Sequence, residues 1–418
     1  MRVVIDRKAL IGAVESLLPC TSKGHEVIKS IRLQAGKGVL VGTATNLSES
    51  LDYTAKANIL AKGETLVLEP RTLRDFLKAV TEAKVTLITT RKVSADQFQK
   101  DRKITTCTLE VVAGSTKGTF QAQDAKEFPP TPGVKAQPVA LLDLAEAIGR
   151  VQYAMLRDEN RPALAGLYLE PDRGGSHLVA SDGFRLAITT LKTRGKPPVP
   201  VILPRGVVAL LSKMQGTVRM ATDVKTEHHT TKTWRDGVSV DETLDTTSTV
   251  MRFTCGNVAL TCRGVNSTFP NYKQLIPAKG TPLTVDRSAL LEAVKTIGAM
   301  KPLSDNVRLQ TKGKKLIVWG MTEGAGRVEK AIAARGKARI GFNLHYLRDM
   351  LNSQTGPFVL RTDSGSHPAF TKDKVSTHVL MPVFAKWDDG KAAPVFNGVT
   401  TANPVATTPV PVAAGAGL

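Results

Sequence analysis

The chain repeats itself three times, and that repetition limits what it can fold into. Leu10-Ile-Gly-Ala13-Val14 returns as Leu144-Ala-Glu-Ala147-Ile148 and again as Leu290-Leu-Glu-Ala293-Val294. Each copy spaces its apolar residues three and four apart, the period of a helix with one buried face. Asp6-Arg7 precedes the first copy and Asp286-Arg287 the third. In both, the aspartate can cap the helix by accepting a hydrogen bond from a free N–H of the first turn. A second helical signal follows each first one: Pro70-Arg-Thr-Leu73-Arg-Asp-Phe-Leu77, Pro204-Arg-Gly-Val-Val-Ala-Leu-Leu211 and Tyr346-Leu-Arg-Asp-Met-Leu351. Proline suits a first helical turn, where its missing N–H is not needed.

Between the two helices of each copy lies a β-rich segment. The middle copy holds Val179-Ala-Ser-Asp-Gly-Phe-Arg-Leu-Ala-Ile-Thr-Thr190. Asp182-Gly183 between alternating apolar residues predicts a hairpin, because glycine accepts a positive φ without steric cost. Similar hairpins are expected around Asn46 and around Glu323. The order helix, strands, helix, strands predicts an α+β fold in which two helices cover an antiparallel sheet. Pro/Gly-bearing joints at 128–138 and 277–282 divide the chain into 1–134, 135–281 and 282–385. Residues 386–418 read as a flexible tail rich in Ala, Pro, Thr and Val. The polar stretch Thr222–Thr249 reads as a long exposed hairpin.

Lys and Arg outnumber Asp and Glu by 57 to 37, a formal charge of +20. That excess favours a polyanionic partner, most simply nucleic acid, over scattered surface charge. Cys20, Cys107, Cys255 and Cys262 form no CxxC pair and no metal-ligand spacing, which fits a reducing compartment. The N-terminus lacks a signal-peptide pattern, and no apolar run reaches a membrane span. The expected location is the cytoplasm, with no membrane partner. No cofactor or metal is expected: His228-His229 alone is weak metal evidence, and the glycine-rich stretch from Gly320 lacks the Gly-Lys-Ser/Thr end of a phosphate loop. Ser181-Asp182-Gly183 echoes the Ser-Asp-Asn element of penicillin-recognising enzymes, but no serine has a lysine three residues on. The chain reads as non-catalytic.

Three α+β units with Ser-Asp-Gly-Phe-Arg-Leu-Ala in the middle one resemble the bacterial sliding clamp family, the β subunit of the replicative DNA polymerase. Val201-Ile-Leu-Pro-Arg205, Phe269-Pro-Asn-Tyr272, Ile340-Gly-Phe-Asn343 with Tyr346, and Val379-Leu-Met-Pro382 fall in family order. The resemblance covers about residues 1 to 385. It implies three repeated clamp domains, assembled as a head-to-tail homodimeric ring around duplex DNA. Such a ring is a processivity factor that slides without sequence specificity and tethers the replicative polymerase, the clamp loader and other partners through short linear peptides.

Carried over position by position, the partner groove comprises Leu164, Ser181, Gly183, Phe184, Arg185, Leu186, Pro270, Gln274, Leu275, Asn343, Tyr346, Val379, Leu380, Met381 and Pro382. Basic residues implied to face DNA are Lys23, Lys78, Arg150, Arg157, Arg161, Arg205 and Lys213, acting on phosphates rather than bases. Ala299 and Met300 are placed near the dimer contact. Phe184 stands where the family usually has histidine, and Gln274 where a basic residue is common. The family is typically acidic, whereas this chain is basic. A second reading is therefore kept beside the first: a clamp-like DNA-binding paralogue, an accessory, decoy or resistance copy, that is not the main replication clamp. A third class, an unrecognised enzyme, would show a pocket that gathers titratable groups with shifted pKa values.

Overall fold

The repeated motif becomes the repeated core. In the computed structural model the longer helices are α1 (Arg7–Leu17), α2 (Pro70–Ala79), α3 (Leu144–Val151), α4 (Arg205–Leu211), α5 (Arg287–Ala299) and α6 (Leu344–Asn352). The structure describes residues 1–21, 24–95, 103–195, 199–235, 238–302, 305–322, 326–363, 365–385 and 387, and the side chains of these except 92–95, 103–106, 127, 227–235, 238–246 and 322. α1 buries Leu10, Ala13, Val14 and Leu17; α3 buries Leu144, Ala147, Ile148 and Val151; α5 buries Leu290, Ala293, Val294 and Ile297. These are the same four positions in each copy, set by the helical period. Within each repeat the two helices pack on one another: α1 on α2, α3 on α4, α5 on α6.

The helix starts follow local chemistry. Asp6 Oδ1 accepts from the Ala9 N–H at 2.9 Å, and Asp286 Oδ1 from the Ala289 N–H at 2.7 Å. The second repeat departs from this: Asp143 sits at φ 55° and makes no side-chain cap bond. Pro70 occupies the first turn of α2, whereas Pro204 lies one residue outside α4 as its N-cap.

Two compact units make up the described chain. The first holds residues 1–271 with 374–376. Its strands are β1 (Arg2–Asp6), β2 (Ile31–Gly36), β3 (Val39–Thr45), β4 (Glu49–Ala61), β5 (Gly63–Val67), β6 (Lys84–Ala95), β7 (Lys103–Ala113), β8 (Thr116–Gln123), β9 (Val139–Leu141), β10 (Leu167–Asp172), β11 (Gly175–Ser181), β12 (Arg185–Leu191), β13 (Thr193–Arg194), β14 (Val201–Leu203), β15 (Val218–Arg235), β16 (Val238–Cys255) and β17 (Val258–Arg263). One sheet runs β1-β6-β7-β8-β5-β2-β3-β4-β17-β16-β15-β9-β13, and β1 also pairs with β4, so the eight strands of the first repeat close on themselves. β14, β10, β11 and β12 form a second run. The two repeats join through an antiparallel seam between β4 and β17, from Glu49↔Cys262 to Tyr53↔Val258.

β15 and β16 stay paired from Arg219↔Thr254 to Arg235↔Val238, far past the three residues that β9 covers. They form a long two-stranded ribbon over the stretch 222–249.

The second unit holds residues 272–373 and 377 onward. Its strands are β18 (Thr281–Val285), β19 (Asn306–Lys312), β20 (Lys315–Thr322), β21 (Gly326–Gly336), β22 (Arg339–Asn343), β23 (Phe358–Thr362), β24 (Ala369–Lys372) and β25 (Ser376–Leu380), in the order β25-β24-β23-β18-β21-β20-β19-β22. All described strand pairs are antiparallel, and the architecture is α+β. Among the described residues no helix is long and apolar enough to cross a membrane, and no cluster of three or more side chains could hold a metal ion. The His228 and His229 side chains lie outside the described ones.

Candidate functional site

The Asp182-Gly183 turn is held by its own side chains. Gly183 takes φ 90°, a conformation cheap only for glycine. Asp182 Oδ1 accepts from the N–H groups of Phe184 at 2.9 Å and Arg185 at 3.0 Å. Ser181 Oγ donates to Arg185 O at 2.9 Å and accepts from the Gly183 N–H at 3.2 Å. Arg185 Nε donates to Asp182 Oδ2 at 2.9 Å, and its guanidinium lies 5.2 Å from the Tyr153 ring centroid. Both charged residues are buried, a placement tolerated only because they pair. The turn thus occupies Ser181 Oγ and Arg185 Nε and leaves Phe184 outward, 60% exposed. Leu186 is buried in β12, Leu164 is half-buried and Pro270 is exposed. Near Pro270, a concavity of about 290 Å³ is walled by Tyr168, Val201, Thr249, Val265 and Phe269.

The first repeat holds a twin of this turn. Thr45 Oγ1 donates to Glu49 O at 2.8 Å and accepts from the Leu47 N–H at 3.1 Å. Asn46 Oδ1 accepts from Ser48 and Glu49. Leu47 takes the place of Gly183, at φ 77°, with its side chain 69% exposed. The third hairpin, around Glu323, lies outside the described residues.

The remaining expected groove residues fall in the second unit. Gln274 and Leu275 are exposed on a short turn. Asn343 caps α6, its Oδ1 accepting from His345 at 3.0 Å and Tyr346 at 3.1 Å. This cap fixes where half-buried Tyr346 begins its helix. Val379 and Leu380 are buried in β25, opposite Phe370 and Ala369 of β24. Met381 and Pro382 follow, half-buried.

Of the expected cations, Arg157, Arg161 and Lys213 are exposed. Lys78 pairs with Glu15 and Arg150 with Glu146, each at 2.6 Å. Such exposed pairs are worth about 0–1 kcal/mol, so a phosphate can compete for either cation. Arg205 is different: its guanidinium donates to the carbonyls of Leu156 and Met155. It therefore braces the segment that presents Arg157 and Arg161. Lys23 lies outside the described residues. Ala299 and Met300 are exposed at the end of α5.

Sequence reading gives no role to Glu49, which is buried in the seam between β4 and β17. A Cβ on Gly206 would stand 2.3 Å from its Oε1. Burial raises the pKa of its carboxyl, and a hydrogen bond from Asn46 partly offsets this. The Cys20 thiol donates to Glu49 O at 3.4 Å and is pushed up to about 12, by burial first and then by the Glu49 charge. The Cys262 thiol is pushed up for the same two reasons. Thiols held protonated in this way are poor nucleophiles and poor metal ligands.

The family model described as the DNA polymerase III beta subunit, central domain, matches residues 139–271, the hairpin included. The beta sliding clamp of Rickettsia bellii is 21% identical over 407 residues, covering 92% of this chain and 99% of that one. That of Caulobacter vibrioides is 26% identical over 403 residues, covering 92% and 100%. The solved sliding clamp of Bacillus subtilis superposes with a TM-score of 0.75 at 18% identity, covering 92% and 99%. These likenesses, which span most of the chain, support a divergent member of the beta sliding clamp family. The fold likeness extends to the clamp of Pseudomonas aeruginosa, with a TM-score of 0.74 at 23% identity. Clamps from Bartonella birtlesii and P. aeruginosa have been solved with griselimycin bound.

Proposed function

We infer that this chain is a DNA sliding clamp, a processivity factor that encircles duplex DNA as a head-to-tail dimer and tethers the replicative polymerase. One observation carries the reading beyond family likeness. The β4–β17 seam joins an early strand of one repeat to the last strand of the next, and the chain keeps one unused edge of each kind. Among the described residues, Thr116–Phe120 of β8, the last strand of the first repeat, pair with a strand only on the β7 side. Val328–Ala333 of β21, the counterpart of β4, pair only with β20. Copying the seam between two chains sets β8 antiparallel to β21 of the partner, with Lys117 opposite the partner's Val328. Two such junctions close a pair of chains, and closure removes the exposed edges.

The three domains are 1–134, 135–281 and 282–385. The helices and loops that carry Lys78, Arg150, Arg157, Arg161 and Lys213 supply a phosphate field without base readout, and Lys23 belongs to the same set. Partner peptides, those of the clamp loader included, dock on the Ser181–Leu186 hairpin with exposed Phe184 and on the wall formed by Asn343, Tyr346 and Val379–Pro382. Griselimycin, with which relatives have been solved, is proposed to bind the same wall in this chain. The chain has no catalysis of its own and works in the cytoplasm.

The test is retention on nicked circular DNA after loading by the cognate loader and ATP, at a salt concentration that removes simple electrostatic binding. Release when the circle is cut once supports the ring. Equal retention on circle and line overturns it.

A further inference from the structure

The chain does not leave the second unit where its last strand ends. After β25 and half-buried Met381 and Pro382, the Val383 N–H donates to Gly341 O at 2.9 Å, so the chain runs along β22, the end strand of its sheet. Gly341 permits this approach: a Cβ there would stand 3.0 Å from Ala385 Cβ and 3.3 Å from Val383 O. Ala385 is buried, and Trp387 is only 6% exposed.

Trp387 is held by rings and cations. It meets Trp319 edge to face at 6.2 Å, and the Arg339 guanidinium lies 4.7 Å from its centroid. Trp319 in turn has Arg308 at 4.5 Å and Arg327 at 4.2 Å. Both indole N–H groups are buried without a hydrogen-bond partner. The anchorage therefore comes from packing and ring faces, and a phenylalanine can supply much of it.

Met381 and Pro382 are thus fixed from both ends. Before them lie the pairs Ala369↔Leu380 and Phe370↔Val379; after them come Val383–Ala385 and the buried Trp387. Loss of the second anchor would leave this stretch held like a chain terminus, which frays. We propose that Trp387 is a positioning residue for the partner wall: it anchors the strap residues Val383–Ala385, which hold Val379–Pro382 in a binding-ready shape. This rests on the wall assignment made under the proposed function. A wall that must be ordered upon binding gives up affinity to that ordering.

The test uses full-length Trp387→Ala and Trp387→Phe, with Tyr346→Ala as the control for the wall. Amide hydrogen exchange is read at Val379–Met381 and Val383, and affinity is read with griselimycin. Trp387→Ala should speed exchange there by about tenfold or more and weaken griselimycin by roughly five- to thirtyfold. Trp387→Phe should stay near wild type, and exchange in α1 should not change. Truncation after Trp387 should leave both readouts intact; if truncation reproduces Trp387→Ala, the anchor lies beyond Trp387 and the proposal fails. Unchanged exchange at Val379–Met381 and Val383 in Trp387→Ala also overturns it, as does faster exchange with unchanged affinity. If Tyr346→Ala does not affect griselimycin, or wild type does not bind it, the wall assignment falls, and the exchange data still decide the strap.

Discussion

Asn46 and Asp182 perform the same task in two different repeats. The side-chain oxygen of Asn46 accepts from Ser48 at 3.1 Å and Glu49 at 2.8 Å; that of Asp182 accepts from Phe184 at 2.9 Å and Arg185 at 3.0 Å. What differs is the closing pair. Asn46 Nδ2 donates to Glu49 Oε2 at 3.2 Å, whereas Asp182 receives Arg185 Nε. The backbone pattern is kept, while the carboxylate moves from the fourth residue of the turn, Glu49, to the first, Asp182.

The two turns should therefore respond unequally to the same truncation. Asp182→Ala takes the carboxylate from the buried Arg185 guanidinium and should cost about 3–5 kcal/mol, the range for breaking a buried pair. Asn46→Ala removes two bonds to backbone N–H groups and one to the Glu49 carboxyl, and should cost about 1–3 kcal/mol. Urea unfolding of both variants measures the difference, and equal costs would contradict the assigned role of Arg185.

Leu47 is the residue that its turn tolerates least. It stands at φ 77° with its side chain in solvent, so replacing it forfeits little packing. Leu47→Gly should stabilise the protein by up to about 1 kcal/mol, the left-handed penalty less the entropy of an added glycine. The midpoint of thermal or urea unfolding reports it.

Glu49 should make stability depend on pH. Burial raises its folded-state pKa, so the folded protein favours the protonated carboxyl. The stability this contributes is fully present below the unfolded pKa and is lost as pH rises through the folded one. Glu49→Gln does not titrate. Its stability relative to wild type should rise from acid toward neutral pH and then level off. A difference that stays flat with pH would refute the burial of the charge.

The β8 and β21 edges should be separately vulnerable. Lys117→Pro or Val328→Pro takes one N–H from an edge and bends it. Either should shift the mass in solution from dimer to monomer, measured by light scattering across a dilution series. Proline at Leu60, which is exposed at the far end of β4, serves as the control and should leave the dimer intact.

Some of this was legible in the sequence and some was not, for physical reasons. Asp6 and Asp286 could be read as caps because capping is local, and the Leu-x-x-Ala-Val motif could be read as buried because helical period is local. Asp143 occupies the corresponding place without capping. Arg71 and Arg205 each follow a proline, yet Arg71 is exposed and Arg205 is tied to the carbonyls of residues 155 and 156. Nothing near either arginine distinguishes them, since the difference depends on which loop folds back. Glu49 is of the same kind: its burial comes from β17, more than two hundred residues along the chain. Trp387 falls where composition reads as tail, and its partners Trp319 and Arg339 are far away in sequence.

The seam of β4 with β17 joins two unlike edges, and unlike edges carry no built-in stop. A copy that adds to another through β8 and β21 leaves one fresh edge of each kind, as a monomer leaves the end of a growing polymer reactive. The curvature of one kind of junction then decides between a closed particle and an endless thread. Glu49 is buried beside Gly206 in the β4–β17 seam, so a substitution that alters the bend of that seam is expected to decide whether the assembly still closes.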